Sequence, residues 1–197
     1  MSTRGAAACW LVAGIAYPSL EAVAARAVPG YRYANDMVSD LGRPDSALSH
    51  LMNAGFVVQG TLFFTGAALL VRATPGRKAR LFMGFAAANA AGNLVVAAVP
   101  SGYSGVAWVH VTGAVLAIVG GNAAIVAGRA LVPGPRSYRI ASAALAALGL
   151  VSFAVLAVES TAAVTVVLPA AVWERTSVYT IIGWQVLSAI ALLVRRR

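Results

Sequence analysis

The sequence predicts an all-α integral membrane protein, a bundle of six transmembrane helices with both termini cytoplasmic and a long outer loop between helices 1 and 2. Composition, the spacing of the apolar blocks and the distribution of charge support this class. The 197 residues are 60% hydrophobic and only 11% charged, with a mean hydropathy of +0.80. A soluble domain needs a far more charged exterior than this chain supplies. Lipid is therefore the expected solvent.

Six apolar blocks follow one another along the chain, each close to the twenty residues that cross a hydrocarbon core of about 30 Å. We expect the helices at about 6–25, 51–71, 80–99, 106–128, 140–158 and 176–194. The first block also resembles a cleaved signal peptide, but Pro18 and Glu21 lie close to the supposed cleavage site, which favours a retained helix. No internal repeat or linker divides the chain, which predicts a single transmembrane domain over residues 1–197.

The basic residues predict which side of the membrane each end of the bundle faces. Alternate connections place eleven of the 15 basic residues on one side: Arg4, Arg72, Arg77, Lys78, Arg80, Arg129, Arg136, Arg139, Arg195, Arg196 and Arg197. The positive-inside rule makes that side cytoplasmic. All six acidic residues fall on the other side or in the adjoining half of a helix: Glu21, Asp36, Asp40, Asp45, Glu159 and Glu174. We therefore interpret the net charge of +9 as a topology signal and not as a nucleic-acid-binding surface.

The long polar stretch 31–53 lies in the predicted outer loop, next to a leaflet that is rich in polar side chains. Polar residues of the helices map to this outer half or its border: Glu21, Asn53, Asn93, His110, Glu159, Glu174 and Arg175. Ionisable groups inside a membrane are costly and normally face the bundle interior or a wet cavity. The pattern therefore predicts an outward-facing polar pocket with the loop as its roof.

Structural interpretations compete with this one. The amides Asn89, Asn93, Asn122 and Gln185 are also typical of hydrogen bonds between membrane helices. The neighbours Glu174 and Arg175 are compatible with an interfacial ion pair, and Asp45 with a cap on helix 2 or its turn. Tryptophans near helix ends, such as Trp10 and Trp108, predict an aromatic belt.

Four groups of residues, in the same order over nearly the whole chain, resemble a bacterial membrane protein family known as domain of unknown function 998. They are Asn35 with Ser39-Asp40-Leu41-Gly42, Asn53 with Gly55-Phe56, Pro100 before His110, and Glu174-Arg175. The resemblance implies a six-helix protein of the bacterial inner membrane in which Asn35, Ser39, Asp40, Asn53, His110, Glu174 and Arg175 recur. It implies no established activity.

The chemistry of the polar residues favours an enzyme acting on a membrane lipid or a prenylated small molecule. A buried carboxylic acid can donate a proton to an alkene or epoxide, so Asp40, Glu174 and Glu21 are the candidate acids, with His110 as a further proton carrier. Substrate contacts are expected from Asn35, Ser39, Asn53, Asn93 and Arg175. In size and character the chain is similar to small membrane-bound terpene cyclases, although no motif matches them.

Two other functions stay open from the sequence. A hydrolase would use Ser39 or water as nucleophile and His110 as base, but the Ser-Asp-Leu-Gly loop is not a nucleophile elbow. A non-enzymatic lipid-binding, assembly or carrier protein is the main alternative. With two histidines and the single Cys9 we predict no metal site, and the absence of a phosphate-binding loop predicts no nucleotide cofactor. The sequence does not predict the oligomeric state.

Overall fold

The computed structural model describes residues 2–72, 75–103, 105–162 and 164–194. Within these ranges the regular secondary structure is helical, apart from one isolated bridge between Val166 and Leu168. The six α-helices are α1 (Ser2–Arg26), α2 (Ser49–Val71), α3 (Arg77–Ala98), α4 (Ala107–Gly128), α5 (Arg136–Ala162) and α6 (Ala170–Val194). Each is long and apolar enough to cross a membrane. The predicted all-α class with six membrane helices is confirmed.

The helices follow one another around a ring. Each packs against the next in chain order, α6 returns to pack against α1, and α4 also touches α6 across the ring. This extra contact leaves α5 outside, where it packs mainly against α4 and α6. We call the end of the bundle that carries the α1–α2, α3–α4 and α5–α6 connections the loop end.

Small residues let α3 and α4 approach closely, as is common where helices pack within a membrane. A Cβ atom built on Gly92 would lie 2.8 Å from the Cα of Ala117, and one on Gly120 would lie 2.8 Å from the backbone nitrogen of Asn89. Backbone therefore meets backbone at both positions, and neither can hold a larger side chain without a shift of a helix.

Aromatic rings fill the bundle at the end opposite the loop end. Trp10 is fully buried between Phe63 and Trp184, with ring centroids 6.5 and 5.3 Å away, and its Nε1 donates to the carbonyl of Phe63 at 3.2 Å. The prediction that Trp10 belongs to an aromatic belt is therefore wrong, because Gly66 leaves the space that its indole occupies. Trp108, by contrast, is 69% exposed.

The fifth and sixth helices extend furthest beyond the predicted bounds. The fifth runs from Arg136 to Ala162, and not only over 140–158, while the sixth begins at Ala170 and not at 176. In each case a charged residue that was expected to end the apolar block is buried inside the helix: Glu159 in α5, and Glu174 with Arg175 in α6. Because the fold supplies partners for these side chains, they do not end the helices.

The α1–α2 loop folds back onto the bundle. Its residues 39–42 form a short 3₁₀ helix that contacts α1 and α2. Val38 and Leu41 are buried, with 2% and 1% of their surface exposed, beside Met52 and Phe56. The polar stretch is therefore a packed element of the loop end, not a solvated connector.

Candidate functional site

A cavity lies in the interior of the ring directly under Val38 and Ser39 of the α1–α2 loop. Its volume of about 50 Å³ has room for about three or four water-sized groups. Every helix except α5 contributes to its lining. The polar side chains that line it are Tyr17, Ser39, Gln59, Asn89, Asn93, His110 and Glu174.

Glu174 lies in the second turn of α6 and is 7% exposed. Its Oε2 accepts a hydrogen bond from the backbone nitrogen of Val38 at 2.6 Å, and its Oε1 accepts a longer one from that of Ser39 at 3.4 Å. Within the described residues no basic side chain forms an ion pair with it. Glu174 therefore fixes the roof of the cavity and also lines it.

The second buried carboxylate, Glu21 of α1, has partners on both oxygens. Arg175 Nε donates to its Oε1 at 2.9 Å, and the Tyr179 hydroxyl donates to its Oε2 at 2.6 Å. The Glu21 and Arg175 side chains are 1% and 8% exposed. Glu21 is not among the residues that line the cavity. Arg175 therefore pairs with α1 and not with its neighbour Glu174.

Arg175 also binds the α1–α2 loop. Its Nη1 donates to the carbonyls of Tyr33 and Asp36 at 2.6 and 2.7 Å, and its Nη2 contacts the Tyr31 hydroxyl. The rings of Tyr31 and Tyr33 lie 5.5 and 5.0 Å from the guanidinium carbon, within cation–π range. Burial raises the pKa of Tyr31 well above its usual range, so its hydroxyl keeps its proton. This guanidinium therefore joins the first helix, the loop and the last helix.

Hydrogen bonds to backbone carbonyls fix the orientation of the ring and amides that line the cavity. His110 Nδ1 lies 2.9 Å from the carbonyl of Val99, which can only accept, so Nδ1 carries the hydrogen in this contact. Asn89 Nδ2 donates to the carbonyl of Ala117 at 2.6 Å, and Asn93 Nδ2 donates to that of Asn89 at 2.9 Å. The Asn89 contact joins α3 to α4, as predicted for an amide between helices, whereas the Asn93 contact stays within α3.

Three cavity-lining side chains each have a buried polar atom that finds no hydrogen-bond partner within the described residues. These atoms are Tyr17 Oη, Gln59 Oε1 and Asn89 Oδ1. Sequence reasoning did not assign any of the three to the site. Gln59 and Asn89 could have been identified from the sequence as amides inside apolar blocks. A tyrosine such as Tyr17 is common in a membrane helix, so nothing in the sequence distinguishes it as a site residue.

The structure brings Ser39, Asn93, His110 and Glu174 together around the cavity, but other predicted site residues lie elsewhere. The side chain of Asp40 is 42% exposed, 3.9 Å from Arg43, and accepts a hydrogen bond from Ser101 at 3.4 Å. Asn35 is exposed on the loop. Asn53 Nδ2 donates to the carbonyl of Gly42 at 3.0 Å and so holds the 3₁₀ helix against α2.

Asp45 is bound by Arg43 at 3.1 Å, and this hydrogen bond holds the pKa of the exposed carboxyl below its usual range. The N-cap of α2 is Leu48, without a side-chain cap, so of the two predicted roles of Asp45 the cap on helix 2 is wrong and the one in the preceding turn remains. The tight bond to a residue only two positions away keeps Asp45 in the turn. Within the described residues there is no group of three or more His, Cys, Asp or Glu side chains that could hold a metal ion.

The family model described as Protein of unknown function (DUF998) matches residues 11–191. The chain belongs to the DUF998 family. All residues that line the cavity of this DUF998 protein, from Tyr17 to Ile181, fall within the matched range. Together with the six apolar helices, the match makes it a multi-pass membrane protein. No curated protein and no solved structure matches the chain.

Proposed function

We propose that this DUF998 protein is a membrane enzyme in which Glu174 exchanges a proton with a lipid or isoprenoid substrate whose reactive end enters the cavity. The observation that carries the proposal is a buried carboxyl group that lines a cavity without an ion-pair partner in the described chain. Such a group is suited to general acid–base chemistry on a ligand bound beside it.

His110 is the second proton-transfer residue of the proposal. With Nδ1 bound to the Val99 carbonyl, the neutral ring presents Nε2 as an acceptor. Glu174 would give a proton to one atom of the substrate while His110 takes one from a neighbouring atom, so the total number of protons in the site stays constant. Isomerisation of a double bond or elimination of a leaving group has this balance.

The volume of the cavity favours chemistry at one end of a substrate. About 50 Å³ admits only a few non-hydrogen atoms, whereas cyclisation of a prenyl chain needs an enclosure around the whole chain. Apolar residues of α4 and α6, among them Ala114, Ile118 and Val178, line the rest of the cavity. We therefore favour proton transfer at one end of the substrate over terpene-type cyclisation of the whole chain.

The remaining predicted residues have supporting roles in this proposal. Glu21 and Arg175 neutralise each other and position the loop, so neither is proposed as an acid. Ser39 and Asn93 line the cavity and are proposed substrate contacts. Asp40, Asn35 and Asn53 are outside the reaction because none of them lines the cavity.

Deuterium transfer tests the proposal directly. The protein, purified into lipid nanodiscs, is incubated in D₂O with bacterial lipid extract and with prenyl alcohols, and the lipids are examined by mass spectrometry. We expect a product or carbon-bound deuterium with the wild type and with Glu159→Gln, and neither with Glu174→Gln. Glu159 is a matched control, since it is a buried carboxyl that accepts a backbone hydrogen bond from Val166 but does not line the cavity.

A non-enzymatic lipid-binding protein is the second candidate, and the small cavity supports it because only a headgroup fits. Lipid that co-purifies with the wild type and is lost in Glu174→Gln, without product or deuterium in any lipid, would favour this function over the enzyme. Deuterium in the lipids at equal level with Glu174→Gln would contradict the role of this carboxyl.

A further inference from the structure

The polar atoms of the cavity are mainly hydrogen-bond acceptors. Because Asn89 donates its amide hydrogen to the Ala117 carbonyl, the atom left free is its oxygen. Because His110 donates from Nδ1 to the Val99 carbonyl, its other nitrogen is an acceptor in the neutral ring. Gln59 donates to Gln185 at 2.6 Å, and its Oε1 is free.

Hydrogen-bond donors are scarce around the same space. The backbone N–H groups of Val38 and Ser39, which lie at the cavity roof, are already taken by the Glu174 carboxyl. The Tyr17 hydroxyl is the one unpartnered group among the described lining residues that can donate as well as accept. Buried acceptors without donors are costly in free energy. The ligand group that best fits this cavity therefore carries several N–H or O–H bonds.

The charge of the lining selects among such groups. Glu174 has no ion-pair partner in the described chain, and the nearby guanidinium of Arg175 is engaged by Glu21. A buried carboxylate without a counter-charge is strongly disfavoured, and a bound cation removes that cost. The aromatic side chains Tyr17 and Phe56 also line the cavity, with ring centroids 5.9 Å apart, and aromatic faces attract cations.

From these features we infer that the cavity binds a primary ammonium group, carried by a lipid headgroup or by a free small amine. An ammonium has three donors and no acceptor, which matches the carboxyl of Glu174 together with the free oxygen of Asn89 and the Tyr17 hydroxyl acting as an acceptor. A head of three or four non-hydrogen atoms fits about 50 Å³. The inference rests on the proposed function in taking this cavity as the substrate site, and it narrows the substrate to an amino-headed molecule. The ammonium binds the ionised Glu174, and transfer of one ammonium proton to the carboxylate leaves a neutral amine and the carboxylic acid that the proposed reaction uses.

Thermal unfolding with defined amines tests the inference. The purified protein is titrated in detergent with ethanolamine hydrochloride, with sodium chloride at equal ionic strength as the control, and is also melted in nanodiscs of phosphatidylethanolamine or phosphatidylglycerol. We expect the wild type and Glu159→Gln to be stabilised by ethanolamine, by the amino lipid or by both. In Glu174→Gln the apparent affinity falls about 10-fold or more, because a charge-assisted bond is lost.

The arms separate the sources of the amine. A rise in melting temperature with ethanolamine would show that the ammonium group alone is enough for binding. A rise only with phosphatidylethanolamine would show that the ammonium must be part of a lipid. No shift with either, or an equal shift in Glu174→Gln, overturns the inference. Tyr17→Phe is a second variant that loses no hydrogen bond within the described protein, and it should weaken binding without loss of the fold.

The two proposals fail in different ways. Amine binding without product or deuterium transfer would support the ammonium site and contradict the proposed enzymatic function. Deuterium transfer to a lipid without an amino group, with no stabilisation by ethanolamine, would retain the enzyme and overturn the ammonium site.

Discussion

Arg175 of α6 donates to Glu21 of α1 across 2.9 Å, and the two residues are separated by 154 positions in the chain. The pair closes the ring of helices where its first and last members meet. Because the same guanidinium binds two carbonyls of the α1–α2 loop, it also links the closure of the ring to the loop that roofs the cavity.

Arg175→Met should destabilise the protein severely. The substitution leaves the Glu21 carboxylate buried without its counter-charge, a change that typically costs about 3–5 kcal/mol, and it frees the loop carbonyls. Glu21→Gln should cost less, because the amide oxygen still accepts from Tyr179 and Arg175 retains the carbonyls. Thermal unfolding in detergent gives the ranking, and limited proteolysis of the loop reports its release. Equal stability of the two variants would contradict the prediction that loss of Arg175 costs more than loss of the Glu21 charge.

Glu174→Gln and Asp40→Asn should differ sharply in activity. Both carboxyls were predicted acids, but Glu174 lines the cavity whereas the half-exposed Asp40 does not. We expect loss of activity only in Glu174→Gln, with normal membrane insertion and a change in stability below about 0.5 kcal/mol for Asp40→Asn. Deuterium transfer to lipids and yield from membranes measure these effects. Loss of activity in Asp40→Asn would show that the Asp40 carboxyl takes part in the reaction.

Two glycines on α3 provide a matched pair. A side chain at Gly92 would collide with the backbone of Ala117 in α4, whereas nothing lies within 4 Å of the corresponding atom at Gly84. Gly92→Ala should cost about 1–3 kcal/mol through overpacking. Gly84→Ala should be neutral or stabilising because alanine favours the helix. Melting temperatures in one detergent decide, and a similar loss in both variants would contradict the close contact of α3 and α4.

Two buried tyrosines should respond oppositely to the loss of a hydroxyl. The Tyr17 hydroxyl has no partner in the described chain, whereas that of Tyr138 lies 2.9 Å from Ser188 Oγ. Without ligand, Tyr17→Phe should be neutral or stabilising, while Tyr138→Phe should lose about 1 kcal/mol. Chemical or thermal unfolding of the ligand-free protein tests the difference. A marked loss in Tyr17→Phe would reveal a partner for its hydroxyl.

The sequence predicts the number of helices well because the cost of exposing backbone or charge to lipid dominates each block. It fails at the start of α6, where the charged pair Glu174-Arg175 was expected to lie at the membrane border. Inside the fold these groups bind Val38, Glu21 and loop carbonyls, so the helix begins six residues earlier, at Ala170. Charge alone does not show that such partners exist.

The polar pocket was predicted in outline, but only some of its members were predicted: Ser39, Asn93, His110 and Glu174. Adjacent residues on a helix do not face each other, which explains why Arg175 reaches α1 while Glu174 turns to the roof. The free atoms of Tyr17, Gln59 and Asn89 depend on which partners the neighbouring helices supply. That information arises only when the ring is assembled.

The contact between α1 and α6 that closes the ring can form only late in synthesis of the chain. Glu21 is synthesised 154 residues before Arg175, and translation at about 5–20 residues per second separates them by roughly 8–30 s. Throughout that interval the first helix carries an acidic group whose partner has not yet been made. The nascent chain therefore needs water, lipid headgroups or the insertion machinery beside Glu21 until the sixth helix arrives, and the cavity is complete only after α6 has been inserted.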